Sequence, residues 1–270
     1  MMIRASVVAG QFYSDSPSSL KSEIRSFVGS TPGKERAIGV ISPHAGYVYS
    51  GGVAGAVLSS FIPRSKYIVL GPNHTGMGER LGMSRCESWE TPLGRAMIDK
   101  KLAAAIKDNS KHIKWDEASN AAEHSIEVQL PFLQVLNKDF TFVPIVVSYN
   151  TPEAYRETGR DIAIAVKSLG IEDDTVIIAS SDMTHYEPHD VAKKKDSIAI
   201  DAVLKLDEER LLKNIEQFNI TMCGFAPAVI MMVAAKELGA RSAKLIKYQT
   251  SGDVSGDLSS VVGYAGIIIS

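Results

Sequence analysis

Cysteine is nearly absent from this chain of 270 residues: only Cys86 and Cys223 are present. They stand far apart in sequence, so they form no disulfide framework, and their scarcity fits a reducing compartment. Long apolar runs are missing too. The most apolar helical stretch, Gly224 to Ala235, falls far short of the ~20 residues needed to cross a bilayer. The first residues include Arg4 but no hydrophobic core region or small-residue cleavage site, so no signal peptide is expected and a cytoplasmic location is. Neither sign of charge dominates, the formal net charge being −2. Without a basic stripe, nucleic acid and anionic membranes are excluded as expected partners. The Lys193-Lys194-Lys195 run lies between Asp190 and Asp196 and reads as a solvated helix face. Linkers, fixed-period repeats and low-complexity tracts are also lacking. No G-x-S-x-G, H-E-x-x-H, Walker or G-x-G-x-x-G element occurs, which removes support for a serine nucleophile, a zinc-protease helix or a standard nucleotide loop.

What is present centres on Ala37 to Gly52. A short β-branched run bounded by Pro43 reads as a buried strand, and the Gly51-Gly52 pair followed by Val53, Ala54, Ala56, Val57 and Leu58 reads as a helix start. His44 therefore falls just past a strand end, where open α/β sheets bind ligands. The pattern recurs: Tyr67 to Gly71 leads to Pro72-Asn73-His74, and Thr175 to Ser181 leads to Asp182-Met183-Thr184-His185. Three apolar strands thus deliver a histidine at the same end.

The remaining chain alternates strands and helices. A helix after Pro17 presents Leu20, Ile24, Phe27 and Val28, and a loop is expected over Gly29 to Arg36. The glycines after His44 serve either close helix packing or an anion, the former being preferred. An antiparallel excursion is expected around Trp89 to Gly94, followed by a helix at Lys100 to Lys107. Helical spacing resumes at Ile126, Leu130, Leu133 and Leu136, with Pro131 marking a kink or a break. A strand at Phe140 to Ser148, a helix at Pro152 to Leu169 and a mostly helical region from Pro188 to Leu238 follow. Tyr248 to Gly256 reads as a polar loop, and Val261 to Ile269 as a final strand. The expected architecture is one α/β domain over residues 1–270, with a mixed, mostly parallel central sheet and helices on both faces.

His44 and His74 are imidazole donors suited to iron, copper or zinc, each held at a rigid strand end. Cys223 stands just before a helix whose N-terminus should favour the thiolate, the metal-binding form. These three are the expected metal ligands. Asp182 and His185, at i and i+3, have the makings of an acid–base pair, with a turn-capping Asp182 as the alternative. His124, flanked by Glu123 and Glu127, reads either as a group supporting the site or facing substrate, or as decoration of a helix start. Asn73 and Tyr47 are placed with the former role.

Pro43-His44-Ala45-Gly46-Tyr47, Gly71-Pro72-Asn73-His74, Glu123-His124-Ser125-Ile126-Glu127, Ser180-Ser181-Asp182-Met183-Thr184-His185 and Met222-Cys223-Gly224 resemble, in order, the successive motifs of the Memo family. Val8 to Tyr13 and Ser260 to Ala265 resemble its two ends. The resemblance implies a fold similar to class III extradiol (LigB-type) non-haem iron dioxygenases, which hold Fe(II) with two histidines and a glutamate. By motif, His44 and His74 take the histidine positions, His185 that of the catalytic histidine, and Cys223 that of the glutamate. A thiolate in that place is softer and oxidisable, which shifts preference toward copper or zinc. The resemblance further implies metal-dependent redox chemistry on an unknown small molecule or peptide, or peptide and protein binding in the same cleft. In microbes it implies membership of the AmmeMemoRadiSam set as protein B, beside radical-SAM and Ammecr partners.

Overall fold

The computed structural model describes residues 2–29 and 34–270, so the loop expected over Gly29 to Arg36 lies partly outside the described residues. The strands are β1 (Ile3–Arg4), β2 (Gly39–Ser42), β3 (Lys66–Pro72), β4 (Leu81–Met83), β5 (Ser88–Thr91), β6 (Gly94–Ile98), β7 (Lys114–Trp115), β8 (Thr141–Val147), β9 (Thr175–Ser180), β10 (His185–Glu187), β11 (Ala243–Thr250) and β12 (Val261–Ile269). The helices are α1 (Pro17–Phe27), α2 (Tyr47–Ser59), α3 (Lys100–Asn109), α4 (Ala118–Ala121), α5 (Leu130–Leu136), α6 (Pro152–Leu169), α7 (His189–Leu204), α8 (Glu208–Gln217), α9 (Phe225–Glu237) and α10 (Gly252–Ser255).

The strands join one mixed sheet whose middle runs β6-β8-β3-β9-β2, all parallel, with β12 closing antiparallel on β2. Parallel strands covered on both faces need apolar residues at every position, which is why they read as unbroken runs. Alternation still sorts the side chains. Ile68 and Leu70 of β3, with Ile177 and Ala179 of β9, face the layer formed by α3, α6, α7, α8 and α9. Tyr67, Val69, Val176 and Ile178 face α1, α2 and α5. Helices therefore cover both faces, as the alternating pattern requires.

Local signals fixed several boundaries. Thr151 caps α6 by accepting from the Ala154 N–H, Pro152 fills its first turn, and Gly170 ends it at φ 65°. Pro131 lies in the first turn of α5, directly after a 3-10 turn at Glu127–Gln129, so it marks a helix start and no kink. The antiparallel excursion is the β5–β6 pair, with Trp89 inside β5.

Two expectations change. α2 begins at Tyr47, so the glycine pair lies inside the helix. Phe27 of α1 lies on Gly51 and on Gly55 one turn later: a Cβ at Gly51 would fall 2.4 Å from its ring, and one at Gly55 2.6 Å from its Cβ. Close packing explains both glycines. The expected Tyr248 to Gly256 loop instead holds the end of β11 and the short α10. β11 was hidden because it is a half-exposed strand, with Lys244 and Lys247 among its residues and only its pairing with β12 defining it.

Candidate metal centre

β3, β9 and β2 are neighbours, so the residues just past their C-terminal ends meet at one edge of the sheet. His44 follows β2, His74 follows β3, Asp182 follows β9, and His185 opens β10. Cys223 arrives from the opposite chain direction, immediately before the Gly224 cap of α9. One ligand atom each from His44, His74 and Cys223 lies within 4.8 Å of the others. The separation of His44 Nε2 and Cys223 Sγ is 3.2 Å. Nitrogen and sulfur donors about 2.0–2.3 Å from a shared tetrahedral metal stand roughly 3.5 Å apart. The pair is spaced for one ion.

Hydrogen bonds fix the tautomers. The Ser180 hydroxyl gives its proton to the Ser125 carbonyl at 2.7 Å. It can then only accept, from Gln129 Nε2 at 2.8 Å and from His44 Nδ1 at 2.9 Å. His74 Nδ1 lies 2.9 Å from Glu123 Oε1, and a carboxylate also only accepts. His185 Nδ1 donates to the Thr221 carbonyl at 2.8 Å. In all three rings the proton sits on Nδ1, and Nε2 keeps its lone pair. That is the arrangement by which outer groups orient metal-bound imidazoles.

Charges follow the same plan. Burial, with the neighbouring histidines, holds the His44 imidazole well below its ordinary range, so it stays neutral. Burial alone would raise the Glu123 carboxyl, but the hydrogen bond from the His74 ring and those from the Ser125 and His74 N–H groups hold it down at about 2. Asp182 is pushed up to about 6 by burial, although the His44 and Ala45 N–H groups favour its charged form. Burial and the Asp182 carboxylate raise the Cys223 thiol. The helix start therefore does not set the sulfur's charge, contrary to the expectation from sequence. The Cys223 sulfur lies within hydrogen-bond reach of His44 Nε2 and the Asp182 carbonyl, and a cation at the three donors would displace the thiol proton.

Residues 4–268 match the Memo-like protein family. The chain belongs to that family. It is 42% identical over 281 residues to a MEMO1 family protein of Methanopyrus kandleri, covering 99% of each chain. It is 40% identical over 280 residues to one of Pyrobaculum aerophilum, again covering 99% of each. A MEMO1 family protein of Methanosarcina acetivorans is 42% identical over 271 residues, covering both chains completely.

Within this Memo-like chain the other expected residues separate. Asp182 and His185 do not form a direct pair: Asp182 Oδ1 accepts from the His44 N–H at 2.8 Å, and His185 is oriented by Thr221. Tyr47 does not face a substrate. It is 2% exposed, its hydroxyl bonds the Val128 carbonyl, and its ring lies among Tyr13, Phe27 and Phe132. Asn73 uses its amide on Met77, Ser148, Thr75 and Gly76, shaping the loop that carries His74. His124 stacks on His74 with centroids 4.6 Å apart and meets Phe12 on another side, forming a wall of the site.

Sequence reasoning missed Ser180, Gln129, Thr221 and the role of Glu123 as anchor of His74. It also missed Glu127, which is buried and accepts from Arg4 Nη1 at 2.7 Å, Tyr13 Oη at 2.6 Å and the Val7 and Val8 N–H groups. The available signal was two glutamates, Glu123 and Glu127, close to a histidine in a segment that otherwise buries. Both are fully buried, and a buried carboxylate demands partners.

Proposed function

We propose that this Memo-family protein is a metal-dependent redox enzyme, related to the non-haem iron dioxygenases. It would hold Fe(II), or copper in its place, on His44 Nε2, His74 Nε2 and Cys223 Sγ; zinc suits the same donors but would supply no redox chemistry. The observation that carries this reading is the fixed protonation of the site: each imidazole spends its Nδ1 proton on an anchored acceptor and turns a lone pair toward the same small volume. A core built only for stability has no need of such matching. When bound, a redox metal supplies electron transfer to or from a substrate or dioxygen.

The chain's own residues bind and move protons. Ser180, Gln129 and Glu123 keep the ligand rings oriented. Asp182, with a carboxyl at about 6, exchanges a proton near neutral pH while bonded to the His44 backbone. His185 keeps Nε2 free to accept one. The partner is a small molecule or a peptide, and docking to the radical-SAM and Ammecr proteins belongs to the same proposal.

Anaerobic purification, reconstitution with Fe(II), Cu(I) or Zn(II), and elemental analysis provide the test, followed by oxygen uptake with a reductant. About one metal per chain, lost in His44→Ala and Cys223→Ala, is the expected result. No near-stoichiometric metal under any of these conditions would remove the enzyme reading and leave a metal-free binding cleft.

A further inference from the structure

In the lysine run of α7 Lys193 and Lys194 are exposed, but Asp196, directly after the run, turns inward and is fully buried. Its carboxylate accepts from the Thr184 N–H at 2.9 Å and from the Tyr248 hydroxyl of β11 at 2.8 Å. Burial and this carboxylate raise the Tyr248 phenol, so the phenol keeps its proton and donates it. Glu127 has Arg4 as a cation, but Asp196 takes part in none of the ion pairs formed among the described residues. A buried carboxylate without a cation is costly.

What the carboxylate holds is one turn. Thr184 lies between Asp182, which accepts from the His44 N–H, and His185, whose ring is held by the Thr221 carbonyl. Asp182 and His185 thus reach different partners, and the chain between them sets both directions. Gly263 of β12 brackets the same turn: its carbonyl accepts from the Met183 N–H at 2.8 Å, and its N–H donates to the Thr184 carbonyl at 2.9 Å. A Cβ at that position would collide with Asp196 Oδ2, so a glycine is what lets the carboxylate reach the Thr184 amide. This accounts for the glycine in Ser260 to Ala265, a stretch that supplies none of the three metal donors. A backbone N–H bonded to a carboxylate is held more strongly than one bonded to a neutral carbonyl.

We infer that Asp196 is a positioning residue of the proposed site: its carboxylate, set by Tyr248 and admitted by Gly263, holds the Thr184 amide and so fixes the turn that sends Asp182 to His44 and His185 to Thr221. Asp196 acts through that turn, since its own hydrogen bonds go to Thr184 and Tyr248 and to none of the metal donors. The inference rests on the proposed roles of Asp182 and His185 for what the turn serves, and on the hydrogen bonds alone for how the turn is held.

Amide hydrogen exchange, read by NMR on metal-free wild type, Asp196→Ala, Asp196→Asn and Tyr248→Phe, is the test, with Ile162 and Val166 of α6 reporting on the fold as a whole. In Asp196→Ala the Thr184 amide should exchange about tenfold faster or more, the size expected for losing a charged acceptor. The His44 amide should speed up with it as Asp182 is released, while the α6 amides change less. Asp196→Asn, whose side-chain oxygen still accepts from Thr184, should recover most of the protection, and Tyr248→Phe should give a smaller change in the direction of Asp196→Ala. The same proteins loaded with Fe(II) are compared for oxygen uptake with a reductant at equal metal content, where Asp196→Ala should lose uptake and Asp196→Asn recover it. Equal acceleration in α6, an unchanged Thr184 or His44 amide or undiminished uptake in Asp196→Ala, or no recovery in Asp196→Asn overturns the inference. If Asp196→Ala does not fold, the Thr184 and His44 amides of Tyr248→Phe decide it. No oxygen uptake by wild type strikes the proposed function instead, and the exchange rates still decide Asp196.

Discussion

His44 is 2% exposed and gives its Nδ1 proton to a neutral hydroxyl, whereas the His74 side chain is 34% exposed and gives its own to a carboxylate. Both rings end in the same tautomer. On the His44 side the acceptor is Ser180, whose hydroxyl is polarised by the Ser125 carbonyl and by Gln129. On the His74 side the acceptor is charged, and the fully buried Glu123 carboxylate is itself held by the His74 and Ser125 N–H groups. An ionic acceptor makes its imidazole a stronger donor to a metal. The centre thus has a stiff neutral half and a charged half that leans on the N-terminal segment, since Arg4 Nη2 also holds the Glu123 carbonyl at 2.6 Å.

The largest effect expected from breaking this arrangement is on stability. Glu127→Ala leaves Arg4 as an uncompensated buried cation, so unfolding by urea should show a loss of about 3–5 kcal/mol. The double change Arg4→Met with Glu127→Gln should cost less than either pair member removed alone. If Glu127→Ala unfolds no more easily than wild type, the charged half does not depend on that segment.

Removing the two acceptors in turn sharpens the contrast. Glu123→Gln should weaken metal binding by roughly ten- to a hundredfold, and Ser180→Ala by about tenfold. Metal-competition titrations with circular dichroism of each variant provide the measurement. Equal losses would mean that the charge on Glu123 adds nothing to the shared tautomer.

Acid should separate wild type from a variant that lacks the Glu123 charge. The Glu123 carboxyl lies at about 2 in the folded metal-free protein against an ordinary 4.5. A depressed carboxyl contributes stability that is complete above its ordinary value and disappears as pH falls through the folded one. Between about pH 4.5 and 2, wild type should therefore lose roughly 3 kcal/mol more than Glu123→Gln does. Parallel stability curves for the two would place the titration elsewhere.

The smallest effect on metal affinity is expected at His185, which touches neither half through a side-chain hydrogen bond. His185→Ala should bind metal within about threefold of wild type while losing metal-dependent oxygen uptake, since a positioned acid or base is typically worth ~10²–10⁴ in rate. Undiminished uptake in that variant would take His185 out of the reaction.

The sequence by itself determined the frame of this protein. Unbroken apolar runs specify the parallel strands, and Thr151, Pro152 and Gly170 bound α6 through contacts only a few residues long. The positions of His44, His74 and Cys223 beside element ends were legible for the same reason, because periodicity tells where an element stops. Partner choice was not legible. Asp182 reaches the His44 backbone 138 residues away and not His185 three residues on. Tyr47 turns into the core because α2 starts at that residue and lies on α5, and β11 exists only because β12 lies beside it. The Cys223 thiol is raised by partial burial and by the Asp182 carboxylate beside it, neither of which the helix start visible in the sequence reveals. Local pattern encodes which side of an element is apolar, while hydrogen-bond partners and desolvation depend on which distant elements meet, and only the tertiary structure decides that.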